Sequence, residues 1–453
     1  MERHKNLKIC YIGGGSRNWA WLFIKDLAFE KEISGTIYLY DIDAEAAKAN
    51  ETIGNKVMET HNPGQFKFKT ELSLEKALTD SDFVIISILP GKLDKMAVDV
   101  HTPEKYGIWQ PVGDSTGIGG LNRALRTIPM FRDIAQAIQK YSPKAWVINY
   151  TNPMSICTQT LYEVFPGIKA FGCCHEVFNI QKILMNIIIR KGLVKAEDIK
   201  REDIIVNVVG INHFTFFDRA SWRGIDLFPL WDEFVKEYSE SGFPNPLEND
   251  PDKGSFTSRE RIKMDLYKRF GLIGAAGDRH LVEFCPPSWY LKDPETARSW
   301  NFDLTTVDYR IKKQEKLKKM SAAYCDGSET LVPKPSDEEG INQIKALLGL
   351  GNLVTNVNVP NKGQMPGLPL GAVVETNALF SRDSVQPVMN DCMPNTLTTL
   401  TVQHALNQDG IIKAALAGDM EATFRVFLND PQGYTLSPAQ ARELFDEMTK
   451  KTL

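Results

Sequence analysis

The stretch "FGCCHEVFNI", Phe171 to Ile180, sets two cysteines, a histidine and a glutamate side by side at the end of an apolar run. Thiolate and imidazole are soft ligands for a divalent metal, and imidazole and carboxylate are the proton-transfer groups of neutral pH. Paired cysteines are also ordinary small core residues. The stretch therefore gains meaning only if other chemistry-bearing residues converge on it. Two further apolar segments end in polar residues: "WVINYTNP" in Asn149 and Asn152, and "IIVNVVGINHF" in Asn212 and His213. If the three segments are parallel neighbours, their ends meet beyond the carboxyl edge of one sheet, where open α/β sheets bind ligands. Cys174 and His213 would then make a sparse metal site with positions left for substrate oxygens, unlike a structural zinc site closed by four ligands. The spacing does not distinguish Cys173 from Cys174, and His213 reads equally well as a satisfied core histidine.

Two more clusters carry polar groups. "QPVGDSTGIGGLNRALRTIP" brings Asp114 into a helix with Arg123 and Arg126. It is either a plain helix entry or a substrate loop whose aspartate accepts hydroxyls. "GAAGDRHLVEF" groups Asp278, Arg279 and His280, as a salt-bridged turn or as an acid/base group beside an anion-binding arginine.

Such residues need a scaffold, and the front of the chain supplies its outline. "LKICYIGGGSRNWAWLFIKDLAF" reads as strand, glycine turn and helix, the arrangement that holds a pyrophosphate on backbone N–H groups at a helix N-terminus. "TIYLYDID" follows as a strand ending in Asp41, whose carboxylate suits an adenosine ribose and repels a 2′-phosphate, favouring NAD. The fingerprint is irregular: Gly13, Gly14 and Gly15 are consecutive, and Asn18 takes the place of the last glycine. "DFVIISILPG" from Asp82 and "AWVINYTNPM" from Ala145 add apolar strands. The expected fold is α/β, a Rossmann-type doubly wound parallel sheet like that of lactate and malate dehydrogenases. An NAD-binding domain over 1–190 and an α/β substrate and metal domain over 191–453 are expected. "FPNPLENDPDKGS" at 243–255 reads as a surface loop, and "RIKKQEKLKKM" as a solvated helix face.

Composition excludes several classes. Lys plus Arg number 53 against 57 Asp plus Glu over 453 residues, a net charge of -4, and no basic block interleaves with aromatics as a nucleic-acid surface requires. Seven scattered cysteines suit a reducing compartment rather than a disulfide framework. The first residues lack the hydrophobic core of a signal peptide, and no apolar run nears the roughly 20 residues that span a bilayer. A cytoplasmic protein without membrane or nucleic-acid partners is expected.

The ordered set "YIGGGS", "GDSTGIGG", "NYTNPMS", "GCCHEVF", "GINHF", "AAGDRH" and "TNVNVPNKGQMPGLPLGAVVETNA" resembles glycoside hydrolase family 4 over nearly the whole chain. His-Glu-Val after the cysteine resembles its α-galacturonidase branch. The resemblance implies NAD+ and a divalent metal, Mn2+ by preference, although thiolate and imidazole by themselves would suggest zinc. It implies transient oxidation of the sugar at C3, removal of the C2 proton, departure of the glycosidic oxygen, addition of water and return of the hydride. Carried over by motif, Cys174 and His213 are the metal ligands and Asn152 holds substrate hydroxyls close to the metal, while Asp114 stays a substrate candidate from its loop. His175 stands where some members have an aspartate acid, and its pKa near neutrality suits that role; Asp278 matches the aspartate that is the C2 base in some branches, where others use a tyrosine. Gly13, Gly15, Ser16, Arg17, Asp41 and Asn149 are expected around the cofactor. Arg279, Arg123 and Arg17 are candidates for binding a uronate carboxylate, which a bidentate guanidinium fits best. A homodimer or homotetramer is expected. The alternatives are another family 4 specificity, α-glucosidase or α-galactosidase, a hydroxy-acid dehydrogenase of the same fold, and a non-catalytic NAD-responsive protein.

Overall fold

The computed structural model describes residues 4–243, 258–304 and 306–453. Apart from Phe243, the expected loop at 243–255 lies outside them. The apolar runs of the first half form β1 (Leu7–Ile12), β2 (Gly35–Tyr40), β3 (Phe66–Thr70), β4 (Phe83–Ile86), β5 (Trp146–Asn149) and β6 (Lys169–Gly172). All are parallel and lie in the order β6-β5-β4-β1-β2-β3, a doubly wound Rossmann sheet whose order reverses between β1 and β4. Helices cover both faces, so alternate residues of one strand enter different cores. Ile9, Tyr11, Ile85 and Ile148 join one cluster, while Cys10, Ile12, Val84, Ile86 and Val147 join another.

The second half adds an antiparallel sheet of β7 (Ile205–Ile211), β8 (Phe214–Trp222), β9 (Ile225–Asp226) and β10 (Ile273–Gly274). Then β11 (Leu353–Pro360), β12 (Val373–Ser381) and β13 (Ser384–Pro387) return to the first sheet, pairing antiparallel beyond β6 to make nine strands. Residues beyond 190 thus complete the sheet begun before it. Asn377 of β12 ties the two sheets together: its Oδ1 accepts from Val208 N (3.0 Å) and its Nδ2 donates to Val206 O (2.9 Å).

One expectation is corrected. The strand that ends in "INHF" is not a parallel neighbour of β5 and β6. It is β7, and Asn212 and His213 form the two-residue turn of the β7–β8 hairpin, closed by the pair Ile211 and Phe214. His213 sits at φ 67°, in the left-handed region that a tight hairpin turn demands and a non-glycine residue seldom adopts. The "RIKKQEKLKKM" helix, Val307–Asp326, is also not merely solvated: Tyr309, Arg310 and Leu317 line the central cleft. Its ends are pinned, Val307 N donating to His101 Nε2 (3.2 Å) and Lys56 Nζ to Cys325 O (2.7 Å). Among the described residues no helix is long and apolar enough to cross a membrane.

Candidate active site

The nucleotide turn follows β1. Gly13 has φ 92°, and a Cβ there would lie 2.0 Å from the Ser87 carbonyl oxygen, so only glycine permits this approach of two strand ends. Asp41 at the end of β2 accepts from Gly15 N (2.8 Å) and Asp43 N (2.9 Å). Asn50, which sequence reasoning missed, donates to Gly14 O (2.7 Å) and Ser16 O (2.9 Å) and accepts from Trp21 Nε1 (2.8 Å). It braces an irregular turn from a helix some distance along the chain, and only the folded arrangement reveals that. Ser16 Oγ accepts from Trp19 N (3.2 Å), and Arg17 Nε is buried without a partner. Gly13, Gly15, Ser16, Arg17 and Asp41 all line the cleft. Asn149 does not belong with them: its amide accepts from Thr151 N (2.9 Å) and donates to Thr151 O (3.2 Å), fixing the turn after β5.

The same cleft, of about 2190 Å³, receives the candidate chemistry. Asp114, His213 and His280 bring ligand atoms within 4.8 Å of one another. Cys174 lines the cleft with His213 but stands outside this trio, so of the expected pair His213 alone belongs to the cluster of two imidazoles and a carboxylate. His280, which the sequence offered only within the cluster of Asp278, Arg279 and His280 and not as a metal ligand, enters because its short helix Asp278–Leu281 sets it against His213 with ring centroids 3.8 Å apart. Ser115 Oγ donates to Asp114 Oδ1 (2.7 Å) and meets His213 Nδ1 (2.8 Å). Since that oxygen gives its one proton to Asp114, it accepts from Nδ1–H, which leaves the Nε2 lone pair for a cation. Burial and the adjacent His280 push His213 down to about 3, keeping it neutral. Burial would raise Asp114, but Arg123, His280, His213 and Arg310 outweigh it and hold the carboxyl well below the usual range.

Cys173 and Cys174 face different ways. Cys173 joins the core beside Tyr150 and Gln343. The Cys174 thiol lies against Asn212, and its carbonyl accepts from Asn356 Nδ2 (3.0 Å). Burial, Glu375 and Glu176 push that thiol up, so a thiolate here requires a cation beside it. The residues fit a divalent metal on the strength of this donor set and of two orphaned buried atoms, His280 Nδ1 and Asn152 Oδ1. They fit a dinucleotide through the glycine approach at Gly13.

His175 Nδ1 lies 3.2 Å from Glu338 Oε1, and its ring rests 5.5 Å from that of Trp19. Burial would lower its pKa, but Glu338 and Glu176 raise it. Asp278 differs from expectation. Its Oδ1 accepts from Lys263 N (3.2 Å) and Nζ (2.9 Å), and its Oδ2 from Ser258 Oγ (2.8 Å) and Ile262 N (3.1 Å). Two bonds per oxygen fill its acceptor sites, so it is not a free base. Arg123 Nε donates to Asn152 O (3.2 Å), and Arg279 is held by Asp303 O (3.0 Å) and Pro111 O.

A Rossmann sheet whose carboxyl edge opens onto a trio of metal-capable ligands, two of them buried and one half-buried, defines a dinucleotide- and metal-dependent enzyme. A family model for family 4 glycosyl hydrolases matches residues 8–189, and one for the C-terminal domain of family 4 glycosyl hydrolases matches 208–433. The chain belongs to this family. It is 52% identical to an α-galacturonidase of Thermoanaerobacter italicus, covering 99% of this chain and 96% of that one. The crystal structure of lplD from Bacillus subtilis superposes with a TM-score of 0.92 at 47% identity, over 98% of this chain and all of that one. The fold also matches a 6-phospho-α-glucosidase from gut microorganisms solved with NAD and Mn2+, at a TM-score of 0.79 and 21% identity, covering 98% of each chain.

Proposed function

We propose that this protein is an NAD- and divalent-metal-dependent α-galacturonidase. One observation carries the reading: the glycine turn and the trio of Asp114, His213 and His280 open into a single cleft. The specificity is supported by identities of 48–54% with α-galacturonidases, against 25–27% with relatives of other glycosidase specificities. When bound, NAD+ supplies reversible hydride acceptance at the sugar C3 and the divalent cation, for which Mn2+ is the expectation, supplies polarisation of the neighbouring oxygens.

The chain's own residues divide the remaining work. Gly13, Gly15, Ser16, Arg17 and Asp41 seat the dinucleotide. Asp114, His213 and His280 hold the cation, with Cys174 at its side. Asn152 presents a carbonyl oxygen to substrate hydroxyls. His175, whose affinity for a proton Glu338 and Glu176 raise against the effect of burial, gives its proton to the departing glycosidic oxygen. A proton leaving C2 reaches Asp278 by way of Ser258, a residue of the cleft lining that already donates to that carboxylate. Seven unbridged cysteines, five of them buried, support a reducing, cytoplasmic setting.

The test is turnover of an α-linked galacturonide with NAD+, Mn2+ and a thiol reductant in D2O, read by NMR. Galacturonate carrying deuterium at C2 is the expected product. Release without deuterium would reopen direct displacement. Net NADH from a free hydroxy acid, with no glycoside cleaved, would point to a dehydrogenase.

A further inference from the structure

The strand end that presents Cys174 and the hairpin that presents His213 belong to different sheets, so their separation is set by what lies between them. One carboxylate lies there. Glu375 of β12 is 1% exposed. Its Oε1 accepts from Asn356 Nδ2 (2.7 Å), and the same amide donates to Cys174 O (3.0 Å). Its Oε2 accepts from Asn212 Nδ2 (3.2 Å), in the turn itself, and lies 3.2 Å from Thr215 Oγ1, whose proton it shares with Ile211 O (3.1 Å). Asn212 also meets the Cys174 thiol. One side chain therefore touches, through a single amide on each side, the carriers of both groups.

The strand register explains this reach. β11 pairs with β6 at Asn358 and Gly172 and with β12 at Asn358 and Glu375, so Glu375 stands level with the end of β6, one strand removed. Asn356, two residues back along β11, shares that face. The groups that bond Glu375 are amides and a hydroxyl, all neutral. A carboxylate buried among neutral partners is costly, and an apolar side chain of its size would fill the seam between the sheets at less cost. What the carboxylate alone supplies is acceptors for donors on two sides at once. Ser115 orients the ring of His213, whereas Glu375 holds the backbone that carries it.

We propose that Glu375 is a positioning residue of the metal site, which sets the distance of the Cys174 thiol from the His213 imidazole through Asn356 on one side and Asn212 on the other. This rests on the NAD- and metal-dependent reading, and deepens it by making an interior carboxylate, remote from the sugar, responsible for whether thiol and imidazole reach one cation. Partners that orient metal ligands act in this way through hydrogen bonds alone.

The test compares the full chain of wild type, Glu375→Gln and Asn356→Ala, each saturated with NAD. Mn2+ affinity is read by electron paramagnetic resonance, NAD affinity by calorimetry, and the thiolate-to-metal charge-transfer absorption on the Co2+-loaded protein, since that absorption requires a sulfur bound to the ion. Glu375→Gln keeps the shape but turns an N–H toward a donor; Asn356→Ala cuts the same chain of bonds at the Cys174 side and leaves Glu375 in place. Both are expected to lose or shift the charge-transfer absorption and to bind Mn2+ about 10- to 100-fold more weakly, with NAD affinity as in wild type. Variants that melt lower but keep the absorption and the Mn2+ affinity overturn the inference, because a role confined to stability does just that. So does loss of NAD binding in both variants. A wild type that binds Mn2+ but shows no charge-transfer absorption with Co2+ overturns the inference alone. A wild type that binds no divalent cation removes the functional reading, and this inference with it.

Discussion

Ser115 is the residue whose removal tests the site most directly. Its hydroxyl lies 2.7 Å from Asp114 Oδ1 and 2.8 Å from His213 Nδ1, so one oxygen fixes the orientation of two ligands and the tautomer of one. In Ser115→Ala the imidazole regains its second tautomer, and its Nδ1–H loses an acceptor in a place that water does not freely reach. Removing a partner that orients a metal ligand typically weakens binding 10- to 100-fold, or about 1.4–2.8 kcal/mol. Leaving buried polar groups unpaired costs about 1–3 kcal/mol of stability in addition. Mn2+ affinity, read by electron paramagnetic resonance or calorimetry on protein saturated with NAD, is expected to fall by that factor while NAD affinity is unchanged. Ser115→Thr, which retains the hydroxyl, should bind metal nearly as wild type does. An unchanged Mn2+ affinity in Ser115→Ala would refute the assignment of His213 as a ligand oriented through Nδ1.

Gly13→Ala forces a methyl to within 2.0 Å of Ser87 O at φ 92°, so one of two adjoining strand ends must move; NAD binding, followed by calorimetry, is expected to be lost, and retained affinity would refute the close-approach argument. Lys263 pairs in the interior with Glu260 and Asp278, so Lys263→Met strands two buried carboxylates and should destabilise by about 3–5 kcal/mol in a denaturant titration. Burial raises Glu283 to about 8, although its Oε1 accepts from Val112 N and Gly113 N at 2.8 Å each. A carboxyl raised in the folded state binds more protons folded than unfolded between its ordinary pKa and about 8, so the stability it allows is intact in acid and lost as pH rises through that window. Glu283→Gln, which keeps the acceptor without the charge, should melt higher than wild type at pH 8 and alike at pH 5; equal melting at both would refute the shift.

Five of the first six strands and their parallel direction are legible in the sequence because buried parallel strands must be continuous apolar runs, and "KICYI", "FVII" and "WVIN" are such runs, whereas the edge strand β3, "FKFKT", alternates and escapes that reading. The carboxyl-edge site follows from that geometry. The hairpin placement of His213 does not, because a strand that ends in Asn-His looks the same whether a loop or a two-residue turn follows. The return of β11–β13 to the first sheet is equally hidden, since antiparallel pairing between residues almost two hundred apart leaves no local period. The helix Val307–Asp326 misleads for another reason. Its charge is nearly all-round, and the few positions that face the cleft are themselves basic, so the pattern that marks a buried face is absent.

The site is drawn from segments that lie far apart in the chain: the loop at Asp114, the hairpin at His213, the short helix at His280 and the helix that carries Arg310. Each segment brings a group that is costly to bury alone, and each cost is offset by a group from another segment. Asp114 stays ionised because the Arg123 and Arg310 guanidinium groups face it, while His213 stays neutral because burial disfavours its charge. A metal-binding imidazole must be neutral and a metal-binding carboxylate ionised, so the electrostatics that make the fold tolerable are also those that ready its ligands. No segment achieves this in isolation, so the chemistry exists only where the fold brings the four together, and the bonds of Asn377 to Val206 and Val208 help hold the two sheets in the register that this requires.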